Sequence, residues 1–348
     1  MVSMYNGIRT LAAILVLLSC ASCFSLWEPW LEHQQRSCSS QNSSCPSGQA
    51  CDLQTQLCEQ QSDMIPSNPS DLATGPTEFT RQTSGTTRQL WGIWGSDASN
   101  IWAVGEAGTI LRWNGSFWMA QMSNTTNYFY DVWGSDKDNV WAVADGGVIM
   151  KWDGTNWVAQ TTNTPNQFIG VWGSDKNNVW AVGQFGLIMK WNGMGWTMQP
   201  AAPSRCLGVW GSDVNNVWVV GDSGMILKWD GMIWKAQTSG SPNNLWGLWG
   251  SDSNNVWVVG DGGTILRWNG TMWAPQNSGT LDRLYAVWGT EKNNVWAVAG
   301  SGSTFRWDGT AWALKTSGNP SGFLGVWGSD AINIWAVGGS GTILKSKW

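Results

Sequence analysis

Trp94-Gly95-Ser96-Asp97-Ala98-Ser99-Asn100-Ile101-Trp102 is one of seven near-copies of a single phrase, Trp-Gly-Ser-Asp-x-x-Asn-(Ile/Val)-Trp. The leading Trp recurs at Trp133, Trp172, Trp210, Trp249, Trp288 and Trp327, in steps of 39, 39, 38, 39, 39 and 39 residues. A period of this size means stacked or radial copies of one supersecondary unit, so the repeat decides the fold before composition does. What seven copies share is architecture. Function has to lie where they differ.

Working outward, Leu90-Trp91-Gly92-Ile93-Trp94 reads as a short apolar strand, and Gly95 to Asn100 as a turn whose Asp and Asn bond nearby backbone. Ile101 to Val104 is a second strand, β-branched and aromatic. Gly105-Glu106-Ala107-Gly108 reverses the chain, Thr109 to Trp113 forms a third strand, and Asn114-Gly115 is a strong hairpin signal before a fourth, Trp118 to Gln121. The other copies keep these marks: Asn ends every first turn, from Asn100 to Asn333, and Gly ends every second, from Gly108 to Gly341. No helical period appears. Strands apolar at most positions are buried on both faces. The expectation is an all-β, seven-bladed β-propeller of four-stranded antiparallel blades.

The seventh copy runs through three strands to Trp348, while Phe79-Thr80-Arg81-Gln82-Thr83-Ser84-Gly85 matches fourth strands such as Trp234 to Gly240. The N-terminal strand is therefore expected to complete the last blade and to shield an otherwise open sheet edge.

Of 348 residues, 31 are Trp, 43 are Gly and only 12% are charged; the net charge of −5 does not offer the basic face a nucleic-acid partner needs. Arg9 followed by the apolar run Leu11 to Leu18 reads as an export signal over residues 1–19. Leu17-Leu18-Ser19-Cys20 resembles a lipobox, with Cys20 as lipid acceptor and Cys23 as its competitor. The expected location is an exported, membrane-anchored lipoprotein of periplasm or cell surface, with plain secretion as the alternative. Beyond a tether at 20–37, Cys38, Cys45, Cys51 and Cys58 imply a small two-disulfide module at 38–58, its pairing open, rather than a zinc site. Residues 59–77, with three prolines, read as a linker to the propeller at 78–348. Cys206 replaces Leu or Phe of other copies and reads as a buried small hydrophobe.

Asn100 to Leu111, followed by Gly115 and Trp118, resembles the repeat of photosystem II stability/assembly factor-like propellers, across residues 78–348. The phrase is also similar to Trp-rich WGSD repeats of exported proteins from predatory gliding bacteria. Both resemble the broader Asp-box (BNR) propellers, but here Leu111 and Trp113 stand where that box has Ser and Asp, leaving only Gly115 and Trp118. The resemblance implies the fold and a protein-binding or assembly role.

Asp-box propellers include sialidases, which would require three converging arginines, a Tyr–Glu pair and an Asp. The ring region has Tyr only at Tyr128, Tyr130 and Tyr285 and Glu only at Glu78, Glu106 and Glu291, and its one histidine, His33, lies upstream. Catalysis is not expected, nor a cofactor. The repeated turn Asp offers too few oxygens for calcium and reads as turn chemistry. Arg112, Arg267 and Arg306 alternate with Lys151, Lys190 and Lys228 at one repeat position and read as solvated rim charges. Repeat-fixed Trp read as packing between blades.

Variation concentrates just before the fixed Gly-x-Trp of each copy. Gln89, Trp91, Tyr128, Tyr130, Gln167, Arg205, Asn244, Trp246, Arg283 and Tyr285 sit there, facing the axis beside variable second turns such as Asp145, Asp222 and Asp261. Variable loops on a rigid scaffold are the usual seat of binding. The expectation is a non-catalytic, exported, monomeric scaffold that binds a protein or peptide at this mouth, with Arg205 and Arg283 receiving an acidic group. The alternatives are a surface lectin binding a glycan, a sialidase-like hydrolase, and aromatics that merely plug the channel.

Overall fold

The computed structural model describes residues 49–52, 57–60, 78–316 and 319–347. The export signal, Cys20, Cys23, Cys38, Cys45 and residues 61–77 of the expected linker lie outside the described residues. Taken by itself, the unit before the propeller shows a hairpin in which Gln49–Asp52 pairs antiparallel with Leu57–Gln60, and Cys51 stands opposite Cys58 in register.

From residue 78 onward the described chain forms seven four-stranded antiparallel sheets. The first six blades follow chain order, from residues 90–121 to residues 284–316. The first strand of each is innermost and lies against the first strands of its neighbours around the whole ring, Phe323–Gly328 closing onto Leu90–Asp97. The seventh blade takes three strands from residues 323–347 and its fourth, Glu78–Gln82, from the other end of the chain. That strand pairs with Ile343–Lys347 in the register Phe79↔Ser346 and Arg81↔Leu344. Phe79 sets its ring edge-on to Trp296 of the sixth blade, centroids 5.9 Å apart. The expected closure is present.

The innermost strand is longer than the sequence indicates. It runs eight residues, Leu90–Asp97, straight through Gly-Ser-Asp, with bulges where the register shifts. The reversal shrinks to Ala98-Ser99 because Asp97 holds it from outside: its Oδ1 accepts from Ser99 N–H at 2.8 Å and from Asn100 Nδ2 at 3.2 Å. Asp136, Asp175, Asp213, Asp252 and Asp330 do the same work in their copies. These bonds favour the ionised form and hold the turn carboxyls below their ordinary range despite partial burial. In the sixth copy Glu291 replaces Asp, and Asn294 Nδ2 donates to Thr290 Oγ1 at 3.0 Å instead.

The core lies between blades. Trp102, Trp141, Trp180, Trp218, Trp257, Trp296 and Trp335, one per second strand, are at most 1% exposed. Trp102 meets Trp152 at 5.0 Å and Trp157 edge-on at 5.1 Å, both on the next blade. The Trp-Gly pair of the repeat has its own reason. A side-chain carbon on Gly134 would fall 2.6 Å from Trp94 Cη2, and the same holds for Gly95 against Trp327 across the seam. Each leading Trp of the phrase thus rests its tip on the glycine of the following blade.

The repeated Arg/Lys position corrects the reading of solvated rim charges. Arg112 lies over Trp102 and over Trp152 of the next blade, at 5.1 and 5.5 Å. Lys151, Lys190, Lys228 and Arg267 bridge two Trp rings in the same way. Arg306, over Trp296 at 5.9 Å, is buried. The five bridging cations make inter-blade cation–π contacts, partly desolvated and therefore stronger than surface charges. Burial lowers the Lys190 ammonium from its ordinary value. Cys206 is a buried free thiol, as expected, and burial pushes it up to about 12.

Candidate functional site

The variable residues and the second turns share one face because the backbone ties them together. Glu106 N–H donates to Gln89 O at 3.0 Å, Asp145 to Tyr128 O at 3.2 Å, Asp222 to Arg205 O at 3.1 Å and Asp261 to Asn244 O at 2.9 Å. Each second turn closes on a glycine; at Gly108 the φ is +73° and a side-chain carbon would stand 1.9 Å from Thr125 O, so only glycine fits.

At the axis this face opens into a cavity of about 430 Å³. Of the ten candidate residues, Trp91, Tyr130, Gln167, Arg205, Trp246, Arg283 and Tyr285 line it. The other three belong to the rim. Gln89 N–H donates to Glu106 Oε2 at 3.2 Å, Tyr128 is 42% exposed, and Asn244 Oδ1 accepts from Ser223 N–H at 3.0 Å.

The aromatic walls are paired: Trp91 with Tyr130 at 5.7 Å and Trp246 with Tyr285 at 5.5 Å. Both arginines are committed. Arg205 forms a two-point ion pair with Asp222, Nε to Oδ2 at 3.1 Å and the terminal NH2 to Oδ1 at 2.9 Å. Arg283 Nε donates to Asp261 Oδ1, which also accepts from Trp246 Nε1 at 2.8 Å, and Arg283 reaches Tyr285 Oη at 3.2 Å. Both guanidiniums lie over Trp246, at 5.8 and 5.0 Å. The cavity wall therefore holds two arginines rather than a sialidase's three, and no glutamate lines it.

One lining residue escaped the sequence reading. Asp131 occupies the position filled by Gly92, Gly170, Gly208, Gly247, Ala286 and Gly325 in the other copies. Its Oδ1 accepts from Val132 N–H at 2.9 Å and its Oδ2 from Val171 N–H of the third blade at 3.0 Å. Asp131 is half-buried and lines the cavity. That burial outweighs the two N–H bonds and raises its carboxyl to about 7. The departure from glycine at this repeat position was the signal available in the sequence.

No protein-family model matches the chain, and no curated protein is similar to it in sequence. Solved structures are similar in fold. A structure of YCF48 bound to D1 peptide is 17% identical, covering 78% of this chain and 94% of that one with a TM-score of 0.64. YCF48 from Cyanidioschyzon merolae is 17% identical over 77% of this chain and 98% of that one, TM-score 0.63. A streptogramin B lyase, 15% identical, covers 78% of this chain and 97% of itself at a TM-score of 0.70. The propeller architecture expected from the resemblance to photosystem-factor propellers is borne out. One such neighbour holds a peptide and another is named a lyase, so the likeness fixes the fold and leaves function to the site.

Proposed function

We propose that the chain is a non-catalytic binding scaffold that receives a protein or peptide segment at the axial mouth. One observation carries this reading: the repeated blades bring seven of the ten variable candidate residues to one aromatic-walled cavity of about 430 Å³. A propeller of the same fold has been solved holding a peptide, which supports the choice of partner. A glycan is less favoured, because the Trp246 ring is already engaged by Arg205, Arg283 and Tyr285 rather than free for stacking. Export with lipidation at Cys20 would present the mouth outside the cytoplasm, and this part of the proposal rests on residues 1–20 of the sequence.

The test is parallel screening of the full chain on peptide and glycan arrays, repeated with a Trp91→Ala/Tyr130→Ala variant of matched thermal stability. The proposal expects peptide signals that fall at least about 10-fold in the variant, the scale of losing an aromatic anchor. Glycan signals alone, equally sensitive to the variant, would establish the lectin reading instead.

A further inference from the structure

We propose that the axial cavity accepts one cationic group of its partner, a primary ammonium or guanidinium of a peptide, with Asp131 as the counter-ion. This deepens the peptide-binding reading and rests on it.

The charge balance of the mouth points this way. Arg205 and Arg283 do not bar a cation, because Asp222 and Asp261 each neutralise one of them. Asp131 is then the uncompensated charge: three carboxylates stand against two guanidiniums. On the second turns of the first two blades, Glu106 faces the offsetting charge of Arg88, whose guanidinium donates to Ala107 O at 2.8 Å, and Asp145 adds a further negative charge to the same face. Two N–H donors occupy two of the roughly four acceptor positions of the Asp131 carboxylate, which leaves capacity for an incoming donor. Trp91 and Tyr130, with Trp246 and Tyr285, line the same cavity, and aromatic faces favour cations over neutral isosteres. The glycine at this position in five other blades shows that the fold does not need a side chain there.

Protonation of Asp131 gives the site a pH dependence. On its own strand the neighbouring titratable group is Tyr130, raised by burial and by Asp145, and so neutral below pH 8. The flanking innermost strands carry only Asp97 and Asp175, at their far ends on the turn face. Across the cavity stand Arg205 with Asp222, and Arg283 with Asp261 and Tyr285; Arg283 is raised by Tyr285 and Asp261 and stays charged. With a carboxyl near 7, the ionised fraction of Asp131 falls roughly 30-fold between pH 8 and pH 5.5. A cation that needs the carboxylate should lose affinity by a comparable factor.

The experiment titrates the full chain with Nα-acetyl-lysine methylamide, Nα-acetyl-arginine methylamide and the uncharged Nα-acetyl-norleucine methylamide, by calorimetry at pH 8 and pH 5.5. The expected result is binding of a charged probe at pH 8, at least 10-fold weaker binding of norleucine, and a marked loss at pH 5.5. Asp131→Asn should abolish both the preference and the pH dependence. Asp131→Gly, which installs the residue of five other blades, should do so too and guards against a folding defect of the amide. Equal binding of lysine and norleucine probes, or a preference that survives both variants, would overturn the proposal. Failure of the two readings is distinguishable. Array peptides that bind without regard to Lys, Arg or Asp131 refute the cation site alone, whereas Asp131-dependent probe binding without any array peptide refutes the peptide scaffold alone.

Discussion

The indole tip of Trp327 on the last blade lies 2.6 Å from where a side-chain carbon on Gly95 of the first would stand. This contact spans the seam where the two ends of the propeller meet, and it repeats the Trp-on-Gly contact found between consecutive blades. Gly95→Ala should therefore force the indole aside at a cost of about 1–3 kcal/mol, the usual range for overpacking. Gly195→Ala, where a new carbon meets nothing within 4 Å, should be close to neutral. Denaturant unfolding of the two variants compares them directly.

The borrowed strand makes a second prediction. Deleting residues 78–82 removes the partner of Ile343–Lys347 and leaves that strand's backbone groups as an open edge. The truncated protein should aggregate or melt well below the intact chain in a thermal scan with light scattering. Equal melting of the two would mean that the strand does not close the ring.

Bridging cations should contribute more than surface ones. Lys190→Met keeps the apolar stem between Trp180 and Trp229 but deletes the charge, and should cost about 0.5–2 kcal/mol. Lys137→Met breaks only an exposed pair with Asp138 and should cost less than about 0.5 kcal/mol. Chemical denaturation of both, at low and high salt, separates the two environments.

Stability should carry the signature of Asp131. Its carboxyl is raised in the folded state, so between about pH 4 and pH 7 the native protein holds a proton that the unfolded chain has lost. Stability on this account falls as pH rises through that window. The turn carboxyls act in the opposite sense: they are lowered, their contribution is present above about pH 4, and it is lost as acid protonates them. Asp131→Gly should flatten the melting temperature between pH 5 and pH 8 and leave the acid limb in place. A wild-type profile that rises from pH 5 to pH 8 would contradict the raised carboxyl.

The sequence was most legible where a physical rule repeats. Turn chemistry at Asp97 and Asn100, the Asn114-Gly115 hairpin and the match of Phe79 to Gly85 with fourth strands determined blade count, strand order and closure. It was least legible where the meaning of a residue depends on the next blade. Nothing near Arg112 in the chain reveals Trp152 across the interface, so a stacked cation reads as a solvated one. Arg205 and Arg283 likewise looked like receptors for an acid until Asp222 and Asp261, 17 and 22 residues away, were seen to hold them. Asp131 was hidden in plain view, because a repeat framework invites reading its position as fixed glycine.

On the proposed function the axial mouth, and not the turn face, is the binding surface. Hydrogen–deuterium exchange of the full chain with and without a peptide selected on the array tests it most directly. Protection is expected at the entrances of the innermost strands, around Trp91, Tyr130, Trp246 and Tyr285, with exchange at the Asp97–Asn100 turn and its counterparts unchanged. Protection confined to those turns, with the mouth unaffected, would contradict it.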